Sequence, residues 1–164
     1  MPNNFAGSPP PAPAVRKDVV RITSAEATLF VSLSASFYGQ WTHWAGGRTQ
    51  ECTKDRNAQC DGCRRGFPSK WKGYLHVTNG LGWDGFLELT PTAAILLNEQ
   101  APKGESLRGL RFKIRRTKGG AKGRYIIEVL ERRTEEESLQ PSKDPYETLR
   151  FLWSCKRPSG QPAA

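Results

Sequence analysis

The sequence lacks the features that mark membrane proteins and secreted disulfide scaffolds. No stretch approaches the roughly 20 consecutive apolar residues of a membrane-spanning helix, and the 164 residues include only four cysteines. A disulfide-stapled scaffold has a denser set of cysteines and a secretory signal, whereas the N-terminal segment MPNNFAGSPPPAPA has no apolar core. These absences predict an intracellular, cytoplasmic protein that has no membrane partner.

Two common catalytic signatures are missing as well. The chain contains no G-x4-GK[ST] loop, the segment with which many enzymes hold phosphates. A zinc deaminase needs His-x-Glu, whose glutamate moves the proton, and a later Pro-Cys-x2-Cys. Here the histidine motif reads His43, Trp44, Ala45, and Gln59 stands directly before Cys60. We therefore expect that the protein is not an enzyme.

Acidic residues are scarce relative to basic ones, and the excess is concentrated. The chain has 25 Lys and Arg against 16 Asp and Glu, which gives a net charge of +9. Residues 103–133 contain eleven basic and three acidic residues, and residues 37–76 contain seven and three. A solvated surface normally mixes both signs, so these two blocks predict an anionic partner, which is usually a nucleic acid.

One motif, H-x8-C-x7-C-x2-C, predicts a metal site. Zinc prefers four nitrogen and sulfur ligands in a tetrahedral array, and a set of three cysteines and one histidine leaves no open position. Asp61 and Gly62 allow the chain to turn inside the closing Cys-x2-Cys, so that both sulfurs face the ion. The motif therefore predicts a closed, structural Zn²⁺ site. Its predicted ligands are His43, Cys52, Cys60 and Cys63.

Two alternatives to this ligand set stay open. The cysteines could be free thiols, or Cys52 and Cys60 could form a disulfide beside an unrelated histidine. If a metal binds, His76 or the distant Cys155 could replace His43 as the fourth ligand.

Hydrophobic periodicity predicts a mainly β fold. Residues 27–37 alternate with period two, which places Leu29, Val31 and Leu33 on one face and leaves Phe30 as the exception on the polar face. Residues 38–70 show no period, so we assign them to a loop organised by the metal. The other predicted elements are strands at 71–77, 85–89, 107–116 and 125–131 and helices that begin at Thr90-Pro91 and Asp144-Pro145.

Five strands with a helix between the third and the fourth is the element order of the OB-fold. The sequence therefore predicts a small OB-type five-stranded barrel with a zinc-binding insertion between strands 1 and 2 and a C-terminal helix. OB domains contact oligonucleotides through strands 2 and 3 and through the 1–2 and 4–5 loops, and both loops are basic here. The predicted regions are a disordered tail at 1–14, the OB-type domain at 15–133 with its zinc loop at 38–70, and a linker, short helix and tail at 134–164.

Binding of a single strand takes cations for the phosphates and aromatic side chains for the bases. In the fourth predicted strand Arg111, Lys113 and Arg115 alternate with apolar residues and form a basic face. Tyr74 is the best stacking candidate, because it shares a predicted solvent face with Lys72. The candidate nucleic-acid-binding residues are Arg64, Arg65, Lys70, Lys72, Tyr74, Trp83, Arg111, Lys113, Arg115, Arg116, Lys118, Lys122 and Arg124.

Three further aromatic residues and one histidine have other interpretations. Trp41 and Trp44 flank His43 and either pack around the metal or stack bases. Trp71 alternates with apolar residues, which favours a core position. His76 is interpreted as an ordinary exposed or hydrogen-bonded histidine.

The ligand order His, Cys, Cys, Cys in a small-barrel domain resembles the single-stranded-DNA-binding proteins of T-even-type phages. The resemblance covers residues 35–75 for the zinc motif and 27–132 for the order of elements. It implies an OB-fold, a structural Zn²⁺ and binding of single-stranded DNA during replication or recombination. The intervals between ligands are shorter than in that family, and no long acidic tail is present, so we do not expect cooperative filaments or tail-mediated recruitment.

We therefore expect a single-stranded nucleic-acid-binding protein, with DNA favoured over RNA. The alternative is a structural or adaptor subunit of a larger nucleoprotein or replication complex, which would contact other proteins of that complex.

Overall fold

Eight strands in one mixed sheet form the framework of this protein in the computed structural model, which describes residues 19–54, 59–120 and 122–153. The predicted tail at 1–14 lies outside the described residues. The strands are β1 (Val19–Arg21), β2 (Thr28–Ser32), β3 (Tyr38–Ala45), β4 (Arg48–Glu51), β5 (Ser69–Thr78), β6 (Asp84–Leu89), β7 (Arg111–Arg116) and β8 (Tyr125–Val129), and the helices are α1 (Asp61–Arg64), α2 (Pro91–Gln100) and α3 (Pro145–Trp153).

The strand order in the sheet is β1-β6-β5-β2-β7-β8, and β3 adds to β5 and carries β4 on its other side. Every pairing is antiparallel except the short parallel pairing of β1 with β6. Within the described residues, β1 and β8 end this path and do not pair with each other. The prediction of a mainly β protein is confirmed, but the sheet is open and has eight strands instead of the five of the predicted barrel.

The inner face of the sheet, defined as the face that carries Phe112 and Ile114, builds the main core with α2. Phe112 and Ile114 are fully buried, whereas Lys113 between them is exposed, so the predicted alternation of β7 is confirmed. Helix α2 starts where Thr90 accepts a hydrogen bond from the Ala93 N–H at 3.3 Å, a side-chain cap of the usual kind. Its buried residues Ala93, Ala94 and Leu97 close the core.

The predicted facing of the first strand, which corresponds to β2, was wrong. Phe30 is 3% exposed and packs in the core, with ring centroids 6.1 Å from Phe112 and 6.3 Å from Trp83. Leu29 and Val31 point to the outer face and are half-buried. Because apolar residues occupy both faces of β2, the alternation alone could not reveal which face belongs to the core.

The outer face of β5 and β6 is buried as well, because α3 packs on it. Tyr74 and Phe86 are 1% and 2% exposed and form a second core with Leu149 and Trp153 of α3. The predicted solvent exposure of Tyr74 was therefore wrong. His76, which was interpreted as exposed or hydrogen-bonded, is 1% exposed and hydrogen-bonded. The physical reason is that a helix distant in sequence covers a strand face that has partly polar side chains.

His76 connects the sheet to the segment that leads into α3. Its Nε2 lies 2.9 Å from the Asp84 carboxylate, and its Nδ1 accepts a hydrogen bond from the Lys143 N–H at 3.0 Å. The Lys143 ammonium also pairs with Asp84 at 2.5 Å. An Nδ1 that accepts must be unprotonated, and burial lowers the pKa of His76 although Asp84 acts in the opposite direction. His76 is therefore neutral in the folded protein near pH 7.

Among the described residues, no helix has both the length and the apolar character needed to cross a membrane.

We expect the folded protein to lose stability as the pH falls below about 6.5, the usual pKa of histidine. The unfolded chain then binds a proton that the folded chain excludes from His76, whose folded pKa is lower, so the unfolding free energy decreases with decreasing pH. Urea unfolding at pH 7.5 and pH 5.5 measures this change. His76→Gln is the control, because it removes this titration and leaves His43, the other histidine. An equal loss of stability in that variant would contradict the assignment.

Candidate metal centre and basic surfaces

The region predicted as a loop at 38–70 contains a β-hairpin and a short helix. In it, β3 pairs with β4 on one side and with β5 on the other. Gly46 and Gly47 form the hairpin turn with φ values of +60° and +76°, a backbone region that glycine enters without steric cost. A Gly-Gly pair between two extended segments is a known hairpin signal, so the sequence held a sign of this element that the prediction did not use.

The four predicted metal ligands come together at the base of this hairpin, and we call them the metal cluster. The His43 Nε2 atom lies 3.4 Å from the sulfurs of Cys60 and Cys63, and the sulfurs of Cys52 and Cys63 are 3.7 Å apart. All four ligand atoms lie within 4.8 Å of one another. A tetrahedral ion with bonds of about 2.0–2.3 Å requires separations of about 3.5–3.8 Å between its ligands, so the cluster has the size and the donors to hold a metal ion.

Three chain segments supply these donors. His43 comes from β3, and Cys52 follows β4, where its N–H donates to the Trp41 carbonyl at 2.7 Å. Cys60 precedes α1 and Cys63 lies within it. Backbone pairing already joins β3 to β4, and a bound ion would connect both of them directly to the segment with Cys60 and Cys63.

Gly62 allows the imidazole of His43 to lie against the backbone of α1. A Cβ atom at position 62 would stand 2.6 Å from Cδ2 and 2.7 Å from Cγ of that ring, closer than any ordinary contact. The Nδ1 atom of His43 is buried and makes no hydrogen bond within the described part of the chain. The ring is therefore positioned by close packing on Gly62, and not by the second hydrogen bond that often orients a metal-binding histidine.

The thiols of the cluster differ in acidity. Burial acts to raise the pKa of Cys60, but hydrogen bonds from the N–H groups of Cys63 and Thr53, together with those from the Cys63 and Cys52 thiols, outweigh burial, so the pKa falls to about 6. Burial dominates at Cys52 and raises its pKa to about 11, against the opposing N–H of Lys54. One sulfur is thus readily a thiolate at neutral pH, whereas a cation would have to displace the proton from the other.

Two of the alternatives to this ligand set are not found among the described residues, namely the disulfide and His76 as a ligand. Cys52, Cys60 and Cys63 are free thiols, so no Cys52–Cys60 disulfide forms. His76 binds Asp84 and the 143 backbone and has no place in the cluster. Cys155, the other proposed substitute, lies outside the described residues.

The three tryptophans of this region occupy different environments. Trp41 and Trp44 are 45% and 63% exposed, so they do not form a buried shell around the metal cluster. Trp71 packs against the main core, as predicted. Its ring lies over the backbones of Gly39 and Gly73, where a Cβ would stand 2.7 Å and 2.8 Å from the indole.

Two of the predicted nucleic-acid-binding cations have structural partners inside the protein. The Lys72 ammonium lies 2.7 Å from a carboxylate oxygen of Glu88, which also holds Arg21 at 3.0 Å. Arg116 donates to the carbonyls of Ile22 and Gly123 at 2.8 Å and 2.7 Å. It also donates to the Tyr125 hydroxyl at 2.8 Å and covers that ring at 4.0 Å. Both side chains therefore stabilise the fold.

A further pair of predicted cations lies beside the metal cluster. Arg64 and Arg65 pair with Asp61 at 2.6 Å and 3.7 Å, and both are exposed. Trp83, the second predicted stacking residue, is half-buried and packs on Phe30. Tyr74 is buried under α3, so it is not accessible as a stacking platform.

The remaining predicted cations are on the surface. Arg111, Lys113 and Arg115 lie side by side along the outer face of β7, and we call them the basic stripe. Within residues 19–54, 59–120 and 122–153, no carboxylate forms an ion pair with any of the three. Exposed cations of the β7–β8 loop and of β5 add to this surface charge. They are Lys118, Lys122, Arg124 and Lys70.

No protein-family model, curated protein or solved structure matches this chain. The resemblance to the phage single-stranded-DNA-binding proteins therefore stays a prediction, and the site must be interpreted from its own geometry.

The geometry of the cluster predicts one bound metal ion per chain, which elemental analysis of the purified protein would measure. Cys60→Ser removes one sulfur donor and should lower the stoichiometry to near zero. The three remaining donors would leave one coordination position of the ion open to water, which weakens binding. His76→Gln, whose side chain is outside the cluster, should keep the metal. Retention by Cys60→Ser together with loss in His76→Gln would show that the assignment is wrong.

Gly62→Ala should destabilise the protein and weaken metal binding, because the new methyl group would overlap the His43 ring. Alanine in a helix is otherwise favoured over glycine by about 1 kcal/mol, so a net loss of about 1–3 kcal/mol would report the steric overlap. Thermal unfolding and metal titration are the measurements. The matched control is Gly119→Ala, whose Cβ would meet only the Thr23 carbonyl at 3.9 Å. Equal behaviour of the two variants would contradict this role of Gly62.

Proposed function

We propose that this protein binds single-stranded nucleic acid, with DNA favoured over RNA, and that the metal cluster holds a structural Zn²⁺. The observation that carries the proposal is the basic stripe. Three cations stand together on one strand face with no ion-pair partner in the described part of the chain. Like charges placed side by side repel one another, so a polyanion that neutralises them gains free energy and releases its counterions.

The contrast with the other cations supports this proposal. Where the fold needs a cation for stability, it supplies a partner, as Glu88 does for Lys72 and Asp84 for Lys143. No carboxylate of the described residues forms an ion pair with the basic stripe, although Glu128 lies opposite Lys113 in the register of β7 and β8. Ile126, which lies opposite Arg115, is 37% exposed and offers an apolar contact beside the stripe.

The identity of the metal follows from the donor set. Three thiolates and one imidazole are soft to borderline ligands, which favour zinc over the oxygen-seeking cations. Four protein ligands also fill a tetrahedral zinc ion, so it would have no position for a reacting water. We therefore propose a role in folding for the ion and no enzymatic activity for the protein.

The order of the strands supports an OB-type arrangement whose sheet is open and is not closed into a barrel. The five strands predicted from the sequence lie on the path β6-β5-β2-β7-β8, which joins them in the order 3-2-1-4-5, and α2 falls between the third and the fourth. This order also supports a relation to the phage proteins. However, α3 covers the outer face of β5 and β6, the strands that OB domains use for binding. The proposed contact surface is therefore β7 and the loop that follows it.

A second candidate function rests on α3. Its inward side is buried, yet Phe151 and Leu152 are 79% and 38% exposed on the same helix. A helix with apolar residues on two sides usually packs against two neighbours. The alternative is thus an adaptor subunit that docks on another protein of a nucleoprotein complex through α3.

Replacing Arg111, Lys113 and Arg115 with Gln tests the proposal. Folding should change little, because Lys113 is exposed, Arg111 and Arg115 are half-buried, and none of the three has an ion-pair partner among the described residues to lose. Binding of labelled oligo-dT should weaken, and the slope of log K against log salt should shrink by about 0.7 for each lost phosphate contact. Fluorescence anisotropy at several salt concentrations measures both quantities, with oligo-rU as the comparison between DNA and RNA.

Lys103→Gln is the control, because it removes an exposed positive charge outside the basic stripe. If the triple variant binds as tightly as the parent and with the same salt slope, the basic stripe is not the binding surface, and the adaptor function becomes the better proposal.

A further inference from the structure

Trp44 is an exposed aromatic side chain on a well-anchored strand. It follows His43 directly and lies on β3 just beyond the last residue that pairs with β5. The Trp44 side chain lies on the outer face of the sheet, as does that of Thr42, and 63% of the Trp44 surface is exposed. Covering a large aromatic ring with a partner removes its apolar surface from water, which is favourable.

The hairpin fixes the backbone that carries this ring. Trp44 pairs with Thr49 of β4, and its neighbour His43 belongs to the metal cluster. Because the backbone at Trp44 is already ordered, binding through this side chain does not have to order the strand, which is the advantage of a preorganised surface.

A cation without an ion-pair partner stands next to this ring on the same face. Lys70 lies opposite Thr42 in the register of β3 and β5, so it is the diagonal neighbour of Trp44, at a distance of about 7–8 Å between strand positions. Lys70 is exposed, and no carboxylate of the described residues pairs with it. Lys72, two residues along the same strand, instead forms an ion pair with Glu88.

We propose that the outer side of the hairpin is a second nucleic-acid contact, in which Trp44 stacks on a base and Lys70 binds an adjacent phosphate. The inference rests on the proposed function and supplies the stacking residue that Tyr74, buried under α3, does not provide. An aromatic face beside a cation is the combination that single strands bind, because every base has a stacking face and every nucleotide a phosphate. The excess of basic over acidic residues in 37–76, seven against three, favours a polyanion over an acidic or neutral protein surface.

The test is oligo-dT binding by variants of the full-length, metal-loaded protein. Trp44→Ala should weaken binding by about 5- to 150-fold, the range for the loss of one stacked base, with the salt slope unchanged. Trp44→Phe should restore most of the affinity. Lys70→Gln should reduce the salt slope by about 0.7, whereas Lys72→Gln, on the same strand and face, should leave it unchanged.

Trp41→Ala is the matched control, because Trp41 lies on the opposite side of the same strand and is 45% exposed. Each variant must keep the parent's metal stoichiometry, and each except Lys72→Gln, which loses the ion pair with Glu88, must also keep the unfolding midpoint. If the parent binds oligo-dT and Trp44→Ala binds it as tightly, the proposed hairpin contact is wrong and the basic stripe acts alone. Equal losses of affinity in Trp41→Ala and Trp44→Ala would also contradict the hairpin contact. If the parent does not bind any oligonucleotide, the proposed function is wrong, and this inference, which depends on it, is wrong as well.

Discussion

The backbone hydrogen bonding of β5 is the constraint on which the rest of this structure depends. One edge of this ten-residue strand pairs with β6 along most of its length. The other edge is divided, because β2 pairs with its end at Val77 and Thr78 and β3 pairs with its start from Ser69 to Tyr74. A single strand therefore joins the main core to the hairpin that carries half of the metal cluster, and a distortion of β5 would reach both.

This central position explains which strands were predictable from the sequence. Strands β7 and β8 have one buried and one solvated face, so their side chains alternate in the way that water and core demand. The residues of β5 from Gly73 to Val77 are all buried. Leu75 and Val77 face the main core, but the polar groups of Tyr74 and His76 on the other face gave no sign that this face is covered too. Strand β1 has only three residues, which is too short for any period to be recognised.

The candidate site likewise contains residues whose role depends on nearby sequence and residues whose role depends on distant parts of the chain. The ligands of the metal cluster could be predicted because their spacing and residue types express the coordination chemistry itself. The roles of Lys72 and Arg116 could not be predicted, since their partners Glu88 and Ile22 lie 16 and 94 residues away. The burial of Tyr74 likewise depends on α3, and nothing near position 74 in the sequence indicates that helix.

Glu88 shows how one side chain can define the outline of an electrostatic surface. Its carboxylate, 9% exposed, binds Arg21 from β1 and Lys72 from β5 at the same oxygen. Its single negative charge balances one of the two positive charges, so the three groups together add a net charge of about +1 to the outer face instead of +2. An amide at this position would leave both ammonium and guanidinium groups unbalanced and would join the hairpin to the edge at β1 in one continuous electropositive band. A single carboxylate thus lowers the positive potential between these two parts of the outer face.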